Sequence, residues 1–356
     1  MTIRAVMRAV VLTGNGGFDR LELRDDVAAP VPGPGEVLIK VGAAGVNNTD
    51  INTRIGWYSK AVAEATEAGA ATGIAGAEDD GWSGAAFQFP RIQGADACGR
   101  IVAVGAAINP SRIGERVLVE PVFRGQEPFD VVYFGSEVDG GFAEYCVAPA
   151  VHAHTIDSAL SDAELASFPC AYSAAENMLT RIGLAAGEKV LITGASGGVG
   201  SAAVQLAKRR GAIVTAMVGE DKADAVHALG ADHVIPRGAD LAAMFAGAPF
   251  DAAVDVVGGA QFAEILKCLR SGGHYAAAGA IAGPIAELDL RTLYLKDLTL
   301  CGCTVLETEV FPNLVGYIER GEIKPLLAET YPLFEIARAQ ESFLTKQHVG
   351  KIVLTL

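Results

Sequence analysis

A glycine-rich turn in the second half of the chain constrains the fold more than any other feature. It covers residues 193–200, reads TGASGGVG, and stands between the apolar run 189–193 and a good helix at 201–208. A turn of this kind between a buried strand and a helix is typical of a dinucleotide-binding βαβ unit. Gly197 would let the backbone approach a pyrophosphate, and Gly200 would let the helix pack closely on its strand. The chain is therefore predicted to contain a nucleotide-binding α/β domain.

The cofactor contacts predicted from this turn are made mostly by backbone atoms. The N-terminus of the helix offers unpaired N–H groups and a positive dipole to an anion. Ala195 stands where the usual pattern has its first glycine, and Gly279 follows the last apolar run of the domain. We assign seven residues of these two places to cofactor binding: Ala195, Ser196, Gly197, Gly198, Val199, Gly200 and Gly279.

The choice between NAD and NADP is read near the end of the second strand, at 213–218. An acidic residue there accepts hydrogen bonds from the adenosine ribose of NAD and would repel the 2′-phosphate of NADP. This chain has Gly219 at that point and Lys222 three residues later, which leaves room and supplies a counter-charge. The prediction is NADPH. NADH is the less favoured alternative, because Glu220 or Asp221 could serve its ribose.

Apolar runs divide the chain into two domains. Residues 1–157 contain short runs bounded by Gly or Pro, which predicts a β-barrel with few helices. Residues 158–297 alternate apolar strands with helices, beginning with an amphipathic run at 163–179, which predicts a doubly wound parallel sheet. Residues 298–356 return to short strands and are expected to rejoin the first domain. The predicted fold class is α/β, with a β-barrel domain beside a Rossmann-type domain.

The overall composition excludes several classes of function. The 42 acidic and 28 basic residues give a net charge of −14, a surface that repels nucleic acid and anionic lipid. Hydrophobic residues make up 51% of the chain, but no run approaches the roughly 18 apolar residues of a membrane span. The N-terminal apolar run is too short for a secretory signal. We expect a cytoplasmic protein without nucleic-acid or membrane partners.

Cysteines and histidines give no sign of a metal site. The six cysteines have no disulfide or metal-ligand spacing, so buried free thiols are expected. The six histidines, His152 and His154 among them, are expected to be structural.

Several longer motifs resemble the medium-chain dehydrogenase/reductase superfamily, specifically its zinc-independent quinone oxidoreductase-like branch. They lie at residues 45–50, 94–102, 187–200, 229–235 and 348–353. The resemblance implies that the barrel is a GroES-like catalytic domain beside a Rossmann domain. It also implies a homodimer joined through an edge strand of the nucleotide domain, for which the apolar segment 298–305 is suited.

The same resemblance implies that this chain has no catalytic zinc. Zinc-dependent members carry a cysteine where this chain has Asn47, a His-Glu pair where it has Ala95 and Asp96, and a second cysteine that Cys170 matches. An amide and a methyl group cannot replace thiolate and imidazole as ligands of Zn²⁺. We therefore assign no residue to a metal site.

Without a metal, reduction of a conjugated acceptor is easier than oxidation of an alcohol, because the developing charge on oxygen needs only hydrogen-bond donors. The resemblance places Asn47, Thr49 and Tyr58 beside the nicotinamide, and we assign them as the catalytic donors; a second tyrosine of the family is Asn52 here. The predicted function is NADPH-dependent reduction of a quinone, enone or related electron-poor carbonyl compound by direct hydride transfer. The alternatives are an alcohol or aldehyde dehydrogenase of the same superfamily and a non-catalytic NADPH-binding protein.

Residues 60–86 form an insertion relative to the family. They are rich in Ala and Gly, which predicts an inserted loop or a loosely docked helix. The segment starts two residues after Tyr58, and its Trp82 is followed by Phe87 and Phe89. We expect it to act as a lid over the bound acceptor. The alternative is a surface insertion without contact to the pocket.

Overall fold

The computed structural model describes residues 3–74, 76–77, 81–82, 86–127, 129–245 and 247–356. The N-terminal half forms short strands, as predicted, and a helix, α1 (Asn48–Ile55), that follows the longest of them. The strands are β1 (Val6–Leu12), β2 (Leu21–Ala28), β3 (Glu36–Val46), β4 (Arg91–Ile92), β5 (Cys98–Val104), β6 (Arg116–Val119), β7 (Val122–Arg124), β8 (Val131–Tyr133), β9 (Tyr145–Pro149) and β10 (Ala153–Thr155).

The second domain alternates helices and strands, as predicted. Its helices are α2 (Asp162–Leu165), α3 (Pro169–Arg181), α4 (Gly198–Arg209), α5 (Ala223–Ala228), α6 (Leu241–Met244), α7 (Gln261–Cys268), α8 (Leu290–Leu295) and α9 (Val310–Glu319). Its strands are β11 (Lys189–Ile192), β12 (Ile213–Val218), β13 (His233–Pro236), β14 (Phe250–Asp255), β15 (Leu269–Ala277) and β16 (Thr299–Gly302). They form a parallel sheet of order β13-β12-β11-β14-β15-β16. The order reverses between β11 and β14, and such sheets bind ligands at the carboxyl ends of the two strands that flank this point.

The end of the chain returns to the first domain through β17 (Leu327–Pro332), α10 (Ile336–Thr345) and β18 (Lys351–Thr355). The main barrel sheet has the order β10-β6-β5-β3-β18-β17, with β9 also paired to β3, and β2-β1-β4 form a smaller sheet. Because β18 pairs with β3 just before α1, the C-terminal strand brings its first residue to the base of the cleft.

One hydrophobic cluster joins the two domains. It contains Cys98 and Leu118 of the barrel, Phe168 and Tyr172 at the start of α3, and Phe311 of α9. The walls of the cleft between the domains therefore rest on a shared core. Within the described residues, no helix is both long enough and apolar enough to pass through a lipid bilayer.

The amphipathic run at 163–179 was predicted as a single helical segment and is two helices, α2 and α3. The second begins at Pro169, whose ring cannot lie inside a helix but suits its first turn.

The predicted domain boundary at residue 297 also needs correction. Residues 299–302 form β16, which pairs in parallel with β15 at the edge of the second sheet, and α9 packs against α3 of the same domain. The return to the barrel therefore comes after α9, because only β17 and β18 join the barrel sheet.

The described part of the insertion is irregular but attached at several points. It contains a 3-10 turn at Thr66–Gly69, and the guanidinium of the buried Arg54 donates to the backbone oxygen of Ala70 at 3.0 Å. The Thr66 N–H donates to the oxygen of Ile281 in the second domain at 3.2 Å. The insertion therefore bridges the two domains. Residues 75, 78–80 and 83–85 of the predicted 60–86 segment lie outside the described residues.

Candidate active site

A cavity of about 910 Å³ lies between the two domains. The glycine-rich turn and the loops after β14 and β15 line one end, and α1 with the insertion lines the other. This is the crevice at the carboxyl ends of the parallel strands. Its volume suits a cofactor with a small substrate.

The glycine-rich turn borders the cavity with Ser196, Gly197, Gly198, Val199 and Gly200. Gly197 precedes α4, and no side chain caps this helix, so the N–H groups of its first turn are available to an anion. A Cβ on Gly200 would lie 2.2 Å from the backbone oxygen of Gly194, whereas one on Gly197 would meet no atom closer than 3.5 Å. The turn is thus closed toward the sheet and open toward the cavity, and this shape fits a pyrophosphate.

Ala195 lies behind this surface. It is fully buried, and its N–H donates to the backbone oxygen of Met217 at 3.2 Å. It shapes the turn rather than lining the cavity.

Gly279, predicted to bind the cofactor, lines the cavity next to the loop 256–258. That loop is held by Asp255, whose carboxylate accepts from the N–H of Val257 at 2.8 Å and from the hydroxyl of Tyr275 at 2.6 Å. Sequence reasoning missed Asp255. The signal was an acidic residue inside a strand that is otherwise apolar.

Basic side chains line the cavity beside β12. Lys222 was predicted, and Arg237, Lys346 and His348 join it. Lys222 donates from Nζ to the backbone oxygen of Lys346. Burial, together with the charge of Lys222, lowers the pKa of Lys346 to about 8, and burial with both lysines lowers the pKa of His348 to about 4. These four side chains, here called the basic corner, therefore place positive charge around the neutral imidazole of His348.

The two acidic residues that could have favoured NAD lie outside the cavity wall. Glu220 and Asp221 are exposed, and neither borders the cavity. Gly219 is also absent from the cavity wall; a Cβ there would meet the Asp221 carboxylate at 2.7 Å. Gly219 is a turn residue before Lys222 rather than part of the surface.

A buried network forms the floor of the cavity. The ammonium of Lys351, the first residue of β18, donates to the Asp96 carboxylate at 2.9 Å and to Asn47 Oδ1. Asn47 Nδ2 donates to the same Asp96 oxygen at 2.7 Å, and the N–H of Cys170 donates to the other at 2.6 Å. Both ends of the Asn47 amide are therefore engaged. Asn47 positions Lys351 and Asp96, whereas the sequence assigned it as a donor to the acceptor.

Asp50 fixes the turn before α1. Its carboxylate accepts from the N–H of Asn47 at 2.7 Å and from that of Gly94 at 3.2 Å. Burial raises the pKa of Asp50 to about 7 despite these hydrogen bonds. Asp50 thus ties α1 to the loop that carries Asp96.

Tyr58 and Thr49 face the cavity from the end and the start of α1. The Tyr58 hydroxyl donates to Thr49 Oγ1 at 3.2 Å. Burial raises the pKa of Tyr58, against smaller effects of Thr49, Asn52 and Trp82. Tyr58 is therefore a neutral hydrogen-bond donor at physiological pH.

Trp82 of the insertion completes this end of the cavity. Its ring lies edge-on to Tyr58, with centroids 6.1 Å apart, and to Tyr133 of β8, at 4.8 Å. Phe87 and Phe89, predicted to cover the acceptor, contact each other and do not line the cavity.

Glu120, His152 and His154 form a separate cluster of potential metal ligands, with ligand atoms within 4.8 Å of one another. His152 Nδ1 and His154 Nε2 both lie 3.0 Å from Glu120 Oε2. His152 Nε2 accepts from the backbone N–H of Arg124, so the neutral ring carries its proton on Nδ1. The Arg124 guanidinium lies 2.9 Å from Glu120 Oε1. Glu120 is therefore held by two imidazoles at Oε2 and by an ion pair with Arg124 at Oε1.

Comparison with known proteins identifies the family. The models described as alcohol dehydrogenase GroES-like domain and zinc-binding dehydrogenase match residues 33–158 and 198–320. A crystal structure from Sinorhizobium meliloti 1021, provisionally described as an alcohol dehydrogenase, is 46% identical, has a TM-score of 0.89, and matches over 99% of this chain and 97% of that one. The chain belongs to the medium-chain dehydrogenase/reductase superfamily.

Curated relatives of this oxidoreductase span nearly its whole length. The acryloyl-coenzyme A reductase of Metallosphaera sedula is 29% identical over 98% of this chain and 100% of its own. The quinone oxidoreductase of Mus musculus is 28% identical over 100% of this chain and 99% of its own. These relatives confirm the quinone oxidoreductase-like branch, and the superfamily binds a nicotinamide cofactor.

The description of one family model implies zinc, but the floor of the cavity does not fit this metal. The positions that match the family's zinc ligands hold Asn47, Ala95, Asp96 and Cys170, and the ammonium of Lys351 is bonded to Asn47 and Asp96. A divalent cation there would face a buried positive charge. Sequence reasoning missed Lys351, although a lysine that opens an apolar run was the available signal.

Proposed function

We propose that this protein is a zinc-independent, NADPH-dependent oxidoreductase that reduces a quinone, an enone or a related electron-poor carbonyl compound. The observation that carries the proposal is the cavity floor, where Lys351 is bonded to Asp96 and Asn47 in place of a metal centre. Among the polar groups that border this end of the cavity are two neutral hydroxyls, Tyr58 and Thr49. Such donors suit a reaction in which charge spreads through a conjugated system onto oxygen.

The residues of α1 and of the segments beside it stabilise the negative charge that develops on the acceptor oxygen. When bound, the reduced nicotinamide supplies a hydride. Tyr58 stays protonated because burial raises its pKa, so its Oη can donate first a hydrogen bond and then a proton to the acceptor oxygen. In the free protein this O–H donates to Thr49 Oγ1 at 3.2 Å; when it donates to a bound acceptor instead, the Thr49 hydroxyl can donate to Tyr58 Oη and hold it in place, because each hydroxyl both donates and accepts. The rings of Trp82 and Tyr133, which lie beside Tyr58, keep water away from the acceptor.

The basic corner supports NADPH over NADH. Lys222, Arg237 and Lys346 present three cations to the cavity beside β12, and a 2′-phosphate is the part of NADPH that would use them. Glu220 and Asp221 lie outside the cavity wall, which removes the acidic residue that NAD needs. The glycine-rich turn serves the pyrophosphate common to both cofactors.

The relatives support an acceptor with a polarised double bond. A quinone oxidoreductase and an acryloyl-coenzyme A reductase both match along the whole chain. A second candidate, oxidation of an alcohol, is favoured by the description of the Sinorhizobium protein. We rank it second because the floor residues, with the Lys351 ammonium bonded to Asp96 and Asn47, do not fit a metal that could hold an alkoxide.

The test is a steady-state assay of NADPH oxidation with a panel of quinones and enones. We expect acceptor-dependent oxidation, and Tyr58→Phe to lower kcat about 10²-fold, the effect of removing one oxyanion donor. Tyr331→Phe, on β17 and away from the cavity, serves as the control. NADP⁺ reduction that depends on an alcohol would favour the second candidate. NADPH binding without turnover of any acceptor would favour a non-catalytic role.

Cofactor choice is tested by the dissociation constants of NADPH and NADH. We expect NADPH to bind more tightly than NADH. The variant Lys222→Ala should reduce the difference between their binding free energies by about 1.5–3 kcal/mol, the contribution of a hydrogen bond to a charged group. A preference for NADH that Lys222→Ala leaves unchanged would contradict this part of the proposal.

We propose a homodimer formed through β16. This strand is at the edge of the parallel sheet, and apolar side chains are exposed there and on the neighbouring α8, including Leu290, Tyr294, Leu295 and Leu300. An edge with such a surface is suited to pairing with a second copy. Light scattering that reports a monomer at micromolar concentration would refute it.

We also propose a cytoplasmic location. All six cysteines are free thiols and none is fully exposed, which suits a reducing compartment. Fractionation that finds the protein outside the cytoplasm would contradict this.

A further inference from the structure

The acceptor end of the cavity is walled by three aromatic rings from segments far apart in the chain. Tyr58 follows α1, Trp82 belongs to the insertion, and Tyr133 ends β8. Trp82 lies between the other two, nearly perpendicular to each, with interplanar angles of 86° and 78°. The insertion therefore contributes to the wall itself and not only to the rim.

Trp82 carries an unused hydrogen-bond donor. Its Nε1 is buried and has no hydrogen-bond partner among the described residues. Trp57 is different, because its Nε1 donates to the backbone oxygen of Glu64 at 2.9 Å. An indole N–H can only donate, and buried donors in folded proteins nearly always have an acceptor. The missing partner of Trp82 is therefore an acceptor atom.

The unused donor lies beside the Tyr58 hydroxyl. The Trp82 ring lies edge-on to Tyr58. Its N–H acts on the Tyr58 oxygen as a hydrogen-bond donor does, lowering the pKa of that hydroxyl, although the two atoms do not form a hydrogen bond of normal length. Asn52 also has an unpartnered buried atom, Oδ1, so two polar atoms near Tyr58 lack partners among the described residues. Both side chains border the cavity. A ligand atom placed at the Tyr58 hydroxyl would thus be within reach of a second donor.

We propose that Trp82 Nε1–H donates a hydrogen bond to the carbonyl oxygen of the acceptor, beside the hydroxyl of Tyr58. This inference rests on the proposed function and names the atoms that stabilise its charge. A hydride adds to the far carbon of the conjugated system, the π electrons move to the carbonyl oxygen, and the oxygen receives its proton from Tyr58 Oη, which takes up a proton from solvent after the product leaves. Trp82 transfers no proton. It stabilises the negative oxygen while the charge is present.

The arrangement also selects a substrate class. Three aromatic rings and the two proposed donors border the same end of the cavity. A planar cyclic carbonyl compound, such as a quinone or a ring enone, fits this space better than a flexible aliphatic aldehyde.

The test compares two variants at one position. Trp82→Phe keeps a ring and removes the N–H, and Trp82→His restores an N–H on a smaller ring. We expect Trp82→Phe to lower kcat for a quinone about 10²-fold, as for other oxyanion donors. Its KM should change much less, and NADPH affinity should stay within about twofold. Trp82→His should recover part of the loss. Equal kcat for Trp82→Phe and wild type would overturn the inference, as would a loss in KM alone.

A second measurement covers a Trp82→Phe variant that fails to fold. The chain has two tryptophans, so Trp82 is the sole tryptophan of a Trp57→Phe variant. In that variant with NADP⁺, where no turnover occurs, addition of the quinone should quench or shift the emission. An unchanged spectrum would overturn the inference. Failure of the proposed function would be seen separately, as absence of NADPH oxidation with every acceptor in the wild-type protein.

Discussion

At the nucleotide end of the cleft the groups proposed to bind the cofactor are backbone atoms of a contiguous turn, with four basic side chains beside them. At the acceptor end the groups come from α1, the insertion, β8 and the last strand. The first end is part of a regular parallel sheet whose switch point places the turn. The second depends on buried charges and single side chains that meet across long separations. Cofactor binding here therefore follows from the fold, whereas the proposed acceptor chemistry depends on particular side-chain contacts.

The largest expected effect is at the floor of the acceptor end. Lys351→Met should lower the free energy of unfolding by about 3–5 kcal/mol, because it leaves the fully buried Asp96 without its cation. The double variant Lys351→Met with Asp96→Asn should recover most of this loss, since no unpaired charge remains. Urea denaturation measures both. A loss below about 1 kcal/mol in the single variant would show that the pair is solvated.

At the nucleotide end, two glycine variants should separate an effect on the stability of the protein from an effect on NADPH binding. Gly200→Ala should destabilise the protein by about 1–3 kcal/mol through overpacking, because its Cβ would lie 2.2 Å from Gly194 O. Gly197→Ala has space for its Cβ and should change stability by less than about 0.5 kcal/mol. The same Cβ faces the cavity, so NADPH affinity should fall about tenfold, or about 1.4 kcal/mol.

Thermal unfolding and NADPH titration of the two variants provide the measurement. If Gly197→Ala bound NADPH as the wild type does, the pyrophosphate would not approach this turn, and the contrast between the two ends would fail.

Sequence reasoning succeeded where the signal is local. The strand, turn and helix at 189–209 are contiguous, so periodicity and glycine spacing predicted both the element order and the face that meets the cavity. Pro169 also indicated the start of a helix, because proline has no N–H to donate inside one. The single helix predicted across 163–179 did not take this into account. The edge strand β16 was assigned to the wrong domain because a short apolar run does not show which sheet it joins.

The acceptor end could not be predicted in the same way. Lys351 and Asp96 are separated by 255 residues, and only packing of β18 on β3 brings them together. The role of Asn47 changed for this reason, since its amide is engaged by partners that the sequence does not place. Trp82 was recognised as an aromatic residue of the insertion, but its contact with Tyr133 depends on β8.

The basic corner should make cofactor choice depend on pH. Lys346 has a pKa of about 8 in the free protein because it is buried near Lys222. A bound 2′-phosphate would raise this pKa, so NADPH binding takes up a proton once the pH exceeds about 8. NADPH affinity should therefore fall above this pH, at most tenfold per unit.

NADH lacks the 2′-phosphate, so its affinity should not follow this trend. Lys346→Met should abolish the trend for NADPH and weaken binding below pH 8. Titration of both cofactors between pH 7 and 9 tests the prediction. A parallel loss of NADH affinity would assign the effect to a group at the common pyrophosphate.

The smallest expected effect is that of metal removal, for which the cavity floor and the histidine cluster both predict no change. At the acceptor end a divalent ion would have to displace the Lys351 ammonium from Asp96 and Asn47. Behind the cleft, an ion bound by Glu120, His152 and His154 would have to remove the Nδ1 proton of His152 and lie near the Arg124 guanidinium. Neither exchange gives the ion an uncontested set of ligands. Mild chelation should therefore leave the NADPH oxidation rate unchanged, and elemental analysis should find well under one zinc per chain. The variant Glu120→Gln separates the two sites if the wild type does contain one zinc per chain. Loss of that zinc in the variant would assign a structural metal to the histidine cluster. Retention of the zinc would place the metal at the cavity floor and refute the zinc-independent mechanism.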